Sequence, residues 1–225
     1  MGKVRRFVIP DIHGCDRTFR HLVRHRLRIE RDDSLYLLGD LIDRGPRSKG
    51  VIDEILSLRE EGYSVHPVRG NHEDMLLNAC RDRSVFRLWM LNGGDKTLAS
   101  FDIEEACSFP LPYLRFFESL PPFILLDDFV LVHGGLDFTA EDPFDNVDAM
   151  LWSRSYEVDK GRIGGRRLVC GHTPQSLEAI RRSLASDRIT LDNGCVYAHG
   201  DGLGHLTALE LDSLTLHVQE NIDRE

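Results

Sequence analysis

Three short stretches constrain this chain more than anything else in it: residues 4–9, 35–38 and 64–68. Each reads as a strand only four to six residues long: 4–9 is β-branched, 35–38 is a buried apolar run, and 64–68 follows the Gly62 turn. Each stops in a loop of glycine and chemistry-bearing side chains. These loops are Pro10-Asp11-Ile12-His13-Gly14, Gly39-Asp40-Leu41-Ile42-Asp43-Arg44-Gly45 and Arg69-Gly70-Asn71-His72-Glu73. Between them lie helical segments. Residues 15–27 put Phe19, Leu22, Val23 and Leu27 on one face, and residues 48–60 run into Gly62, a C-cap signal. A βαβαβ order implies parallel strands, so the three polar loops should share one edge of a sheet.

The middle loop is the densest. Asp40 would stand at a strand's carboxyl end, where open α/β sheets place ligands. With Asp43 and Arg44 beside it, the loop suits a divalent cation on a carboxylate and a phosphate on the arginine. Taken alone, it also suits a capped turn between strand and helix. Arg17, Arg20, Arg24 and Arg28 form a stripe on the first helix that reads as a solvated face, and secondarily as a docking surface for acidic partners.

Residues 74–120 read as mostly helical, interrupted at Asn92-Gly93-Gly94 and around Pro110 and Pro112, and are expected to form a helical insertion or cap. The rest is mainly β. Runs at 123–126 and 129–132 flank an Asp127-Asp128 turn, and the second ends in His133-Gly134-Gly135. Residues 168–170 end in Gly171-His172, and 189–191 in Asp192-Asn193-Gly194; strands at 205–211 and 214–218 close the chain. Without repeat or linker, residues 1–225 are expected to form one domain.

Composition excludes several classes. A net charge of -9 argues against nucleic acid and acidic membranes as partners. No apolar run approaches the ~20 residues needed to span a bilayer. Met1-Gly2-Lys3-Val4-Arg5-Arg6 lacks a following signal segment, and Arg6 stands where myristoylation needs Ser or Thr. Five scattered cysteines without a CxxC pair fit a reducing cytoplasm rather than a disulfide framework or zinc ribbon.

Collected, the strand ends deliver Asp11, His13, Asp40, Asp43, Asn71, His72, His133 and His172, nearly all beside glycine. Imidazole with carboxylate and amide oxygen suits Mn, Fe or Zn, and the lack of thiolate argues against a structural zinc site. In this order the motifs resemble the PPP-type metallophosphatases of the calcineurin-like superfamily, over residues 4–211. Leu151-Trp152-Ser153-Arg154, Asn92-Gly93-Gly94 with Thr97-Leu98, and Asp192-Asn193-Gly194-Cys195 look like its bacterial and phage protein phosphatases. One departure is Pro10 where the family's first motif usually has Gly; a strand end tolerates the fixed φ, and Asp11 and His13 are intact.

The resemblance implies an α/β (α+β) fold, a β-sandwich flanked by helices in four α/β/β/α layers. It implies two divalent metal ions, Mn in the first instance with Fe, Zn or Co as alternatives. Asp11, His13 and Asp40 would hold one, and Asp40, Asn71, His133 and His172 the other, with Asp40 bridging. A hydroxide between the ions would attack phosphorus in line. Arg44 and Arg154 would clamp the phosphoryl group together with Asn71, and His72, oriented by Asp43, would protonate the leaving oxygen. Arg162, Arg166 and Arg167 remain alternatives to Arg154. The implied activity is serine/threonine protein phosphatase, with a phosphoprotein as partner. The alternatives are a symmetrical bis(5'-nucleosyl)-tetraphosphatase and, more remotely, a non-hydrolytic phosphoprotein binder. Asp43 and Glu73 favour the first, because the dinucleotide enzymes typically lack that Asp and carry Asp in place of that Glu. Cys15 and Cys195 read as small buried residues rather than a redox switch. Asp192 and Asn193 read as a turn with a supporting role, and the Gly-rich loop carrying His199 and His205 as a turn, secondarily a substrate rim.

Overall fold

The computed structural model describes residues 4–197 and 202–223. Successive side chains along a strand point to opposite faces, and the inner strands Arg6–Ile9, Ser34–Leu37, Phe129–Val132 and Arg167–Cys170 bury both. On β1 (Arg6–Ile9) and β2 (Ser34–Leu37), Phe7, Ile9, Leu35 and Leu37 point outward to the helices. There they meet Phe19, Leu22 and Val23 of the first helix, and Val51, Ile52 and Ile55 of α2 (Ser48–Glu60). Val8 and Tyr36 point the other way. They pack on Phe129 and Leu131 of β5 (Phe129–Val132), Val169 of β6 (Arg167–Cys170) and Ile189 of β7 (Arg188–Thr190). The opposite face of that second sheet buries Val130, Val132 and Leu168 under Met150 of α7 (Val147–Trp152). Two sheets stacked face to face between helices are therefore the expected four layers. Each such side chain contributes roughly 1.5–3 kcal/mol by leaving water.

The first sheet runs β3-β2-β1-β8-β9, with β3 at Ser64–Pro67, β8 at His205–Glu210 and β9 at Thr215–Glu220. β1, β2 and β3 pair in parallel, and β8 returns antiparallel to β1. Pro67 is tolerated because β3 is an edge strand. The second sheet runs β4-β5-β6-β7, with β4 at Phe123–Leu125, antiparallel only at β4.

Three local expectations need adjustment. The first helix is α-helical only over α1 (Asp16–Arg20) and continues as a π-helical stretch, His21–Leu27. Its arginine stripe is not a bare solvated face: Arg20 and Arg24 both reach the buried carboxylate of Glu54, at 2.6 and 2.5 Å. A buried charge requires such partners, and the amphipathic pattern alone cannot reveal them. The segment at 74–120 continues a helix that opens in the third loop, α3 (Asn71–Ala79), and goes on through α4 (Arg83–Trp89), α5 (Asp95–Phe101) and α6 (Leu111–Glu118). Trp89, Leu98, Phe101 and Phe117 join the same core cluster as Phe7 and Leu35, so this segment packs into the body rather than standing over it. Among the described residues, no helix is long and apolar enough to cross a membrane.

Candidate metal centre

The carboxyl ends of β1, β2, β5 and β6, with the start of α3, converge on one buried spot. The loops after β1 and β2 are zipped together, Ile12 and His13 donating their amides to the Asp40 carbonyl at 3.0 and 2.9 Å. Of eight non-glycine residues with positive φ among those described, five are His13, Asp40, Asp43, Arg44 and His172. Each such residue costs on the order of 1–3 kcal/mol, and strain of this kind gathers at functional sites. Glycines make room: a Cβ on Gly70 would lie 2.2 Å from Asp40 Oδ1, and one on Gly171 2.2 Å from Asp11 Oδ1.

Asp40 is the centre. Its Oδ1 accepts the His72 amide at 3.0 Å. Its Oδ2 faces three imidazole nitrogens, His133 Nε2 at 3.4 Å, His13 Nε2 at 3.6 Å and His72 Nε2 at 3.8 Å. Ligand atoms of His13, Asp40 and His72 form one group able to hold a metal ion, and those of Asp40, His133 and His172 a second, with Asp40 in both. Asn71 joins the second through its Oδ1, 2.8 Å from His133 Nε2. Asp11 differs from expectation in its contacts: its carboxylate accepts the backbone amide of His172, at 2.9 and 3.1 Å. Asp11 is not among the atoms of the first group, in which His72 Nε2 lies beside Asp40 and His13.

The donor chemistry fits cations. His13 Nδ1 lies 2.9 Å from the Ile42 carbonyl and His133 Nδ1 2.8 Å from that of Leu38, which fixes each neutral ring with its Nε2 lone pair turned inward. His133 Nε2 then faces Asn71 Oδ1, His172 Nδ1 at 3.0 Å and Asp40 Oδ2, an arrangement of mutual acceptors that needs a positive charge between them. Without a metal, a proton serves. Burial opposes it, but Asp40 and Asp11 outweigh burial and push His133 up to about 10. Burial and the neighbouring His133 push His172 down to about 3, and burial with His72 holds His13 well below its ordinary value, so both present lone pairs. Among the described residues, buried His72 Nε2 and His172 Nε2 have no hydrogen-bond partner.

His72 and Asp43 form a fully buried pair at 2.6 Å between Nδ1 and Oδ2. Arg44 reaches His13 Nε2 with Nη1 at 2.7 Å. Arg154 is exposed and donates to Thr173 Oγ1 at 3.3 Å, one residue beyond His172. The alternative arginines are engaged elsewhere. Arg162 bonds the carbonyls of Phe138, Ala140 and Glu141, Arg166 that of Leu126, and Arg167 those of Leu184 and Ser186. Asp192 is buried and accepts the Gly194 amide; burial and nearby Asp11 push its carboxyl well above the usual range. Asn193 ties the Gln175 and Gly202 carbonyls together and meets His205 Nδ1 at 3.0 Å, while His199 lies outside the described residues. Cys15 and Cys195 are buried; contact with Cys15, then burial, pushes the Cys195 thiol well above its usual value, the mark of an unreactive sulfur.

Sequence reasoning missed a supporting layer. Glu73 accepts the amides of Gly70, Asp40 and Leu41 at 2.8–2.9 Å, fixing the backbone on both sides of the Asp40 carboxylate. Its position three residues past the helix N-cap was the available signal, since a glutamate there reaches back to orphan amides. Thr97 Oγ1 and Trp89 Nε1 donate to Asp43, at 2.6 and 2.8 Å.

Comparison with known proteins agrees with this geometry. A family model described as Calcineurin-like phosphoesterase matches residues 4–203. The chain is 32% identical over 200 residues to Serine/threonine-protein phosphatase 1 of Salmonella typhimurium, covering 85% of this chain and 87% of that one. It is 28% identical over 235 residues to the asymmetrical bis(5'-nucleosyl)-tetraphosphatase of Anoxybacillus flavithermus, covering 90% and 88%. A solved Saccharomyces cerevisiae serine/threonine phosphatase with similarity to human phosphatase PP5 superposes over 99% of this chain and 81% of that one. Its TM-score is 0.71 at 17% identity.

Proposed function

The chain belongs to the calcineurin-like phosphoesterase family, and from that premise we propose that it removes phosphate from serine and threonine residues of proteins. The observation that carries this reading is the His72–Asp43 pair, buried beside Asp40 with His72 Nε2 turned toward the ligand cluster. A serine or threonine oxygen leaves as a strongly basic alkoxide and needs a proton. The leaving end of a dinucleoside polyphosphate is itself a stable phosphate and needs none.

Asp40, His13, His133, His172 and Asn71, with Asp11 as the motifs imply, would hold two divalent cations, while His72 Nε2, which lies beside Asp40 in the first group, is the proton donor rather than a ligand. When bound, such ions supply Lewis acidity and an activated water at neutral pH. The protein's own groups do the rest. Arg44, and Arg154 from the rim, bind phosphoryl oxygens, a role suited to their planar forks. His72 passes a proton from Nε2 to the leaving oxygen while Asp43 holds its Nδ1–H. Glu73 keeps the Asp40 carboxylate from drifting.

A second reading, hydrolysis of a dinucleoside tetraphosphate, draws on the full-length likeness to the Anoxybacillus flavithermus protein. The exposed Tyr197 ring, 5.9 Å from the Arg44 guanidinium, could stack a base there. Phosphate release by Mn-loaded protein separates the two: faster turnover of a phosphoserine peptide than of diadenosine tetraphosphate, abolished by chelation, supports the phosphatase, and the reverse order overturns it. A phosphoprotein partner and a cytoplasmic location belong to the same proposal.

A further inference from the structure

The Asn92-Gly93-Gly94 turn and the helices around it have no place in the chemistry above, yet they touch it twice. Gly93, at φ 99°, accepts the Arg44 amide with its carbonyl at 3.2 Å, and a Cβ there would lie 2.7 Å from Arg44 N. Gly94 lies flat against the indole of Trp89, where a Cβ would come within 2.5 Å of the ring. That indole, fully buried, donates Nε1–H to Asp43 Oδ2 at 2.8 Å, the same oxygen that receives His72 Nδ1. Thr97, in α5, donates to the other oxygen at 2.6 Å and accepts the Asp43 amide at 2.9 Å.

A carboxylate's last torsion is broad, with no well of its own to fix the plane. Its orientation must come from donors. Two of them, one on each oxygen and from two different helices, hold the Asp43 plane in one attitude and with it the His72 ring. We propose that Trp89 and Thr97 are positioning residues for proton delivery: they aim His72 at the leaving oxygen through Asp43. This rests on the reading of His72 as proton donor. The plainer alternative is a core tryptophan whose N–H merely needs an acceptor, and the two differ in what they do to different leaving groups.

The test uses Mn-loaded Trp89→Phe and Thr97→Val with a phosphoserine peptide and p-nitrophenyl phosphate. The expected loss in kcat is roughly 10- to 100-fold on the peptide and under about threefold on the aryl ester, which leaves without help, out of the ~10²–10⁴ supplied by acid catalysis. Mn content stays at the wild-type level. Equal losses on both esters, or none on the peptide, would overturn the proposal. So would failure of both variants to fold, which would mark the pair as core structure only. If the wild type turns over neither monoester, the functional reading itself falls and takes this proposal with it.

Discussion

Replacing Gly70 by Ala adds one methyl group at the point where the site is tightest. Gly70 sits at φ -97° and ψ 173°, an ordinary extended conformation, so alanine brings no backbone strain. Its Cβ, however, would lie 2.2 Å from Asp40 Oδ1 and 2.3 Å from Asp40 N. Non-bonded carbon needs more than 3 Å from either atom, so the Asp40 carboxylate or the start of α3 must move by roughly 1 Å, a displacement able to cost about 10²-fold in rate. Overpacking of this kind costs about 1–3 kcal/mol, which for a domain of this size lowers the melting temperature by roughly 2–12 °C. The assay is Mn titration by calorimetry together with turnover of a phosphoserine peptide. The expected variant is folded, binds Mn at least about tenfold more weakly and turns over about a hundredfold more slowly. Wild-type affinity and turnover in a folded Gly70→Ala protein would refute the claim that Asp40 is held in place by this contact.

Asp40→Asn and His72→Asn should both remove most activity, but only the first should lower Mn content, measured by elemental analysis; equal content in both would erase the division between ligand and proton donor. Arg154→Ala should raise KM for phosphopeptides with an unchanged melting temperature. Arg162→Ala, which releases three loop carbonyls, should lower the melting temperature by several degrees and leave KM alone, and calorimetry with kinetics would expose the opposite pattern. Asp33 gives a pH prediction away from the metal centre. Burial raises its carboxyl, but bonds from Arg5 and the Glu30 amide outweigh it and set the folded value below 3.8. Its stabilisation is then complete above about pH 4 and lost as pH falls through the lower folded value. Acid titration of stability should be steeper below pH 4 for the wild type than for Asp33→Asn.

What was legible in the sequence was whatever acts locally. The unbroken apolar runs Phe7-Val8-Ile9 and Val130-Leu131-Val132 announced strands covered on both faces, and their side chains alternate between the inner and outer layers of the sandwich. The candidate ligands His13, Asp40, Asn71, His133 and His172 were legible because each stands at a strand end beside glycine, where the backbone must turn and a side chain faces the open edge. The supporting groups were not. Thr97 and Trp89 lie 54 and 46 residues from Asp43, and nothing in their own neighbourhoods shows where their donors point. Arg20 and Arg24 looked like solvent-facing charges because Glu54, their buried partner, is on another helix. The carbonyls that occupy Arg162, Arg166 and Arg167 and leave Arg154 as the candidate clamp were likewise invisible in the sequence.

The most direct test of a shared Asp40 is electron paramagnetic resonance of the Mn-loaded protein, with the metal counted on the same sample. Two Mn per chain with an exchange-coupled spectrum, as ions ~3.5–4 Å apart across one carboxylate give, and loss of that coupling in Asp40→Asn, is the expected result. One Mn per chain, or two whose signals are those of isolated ions, would contradict it.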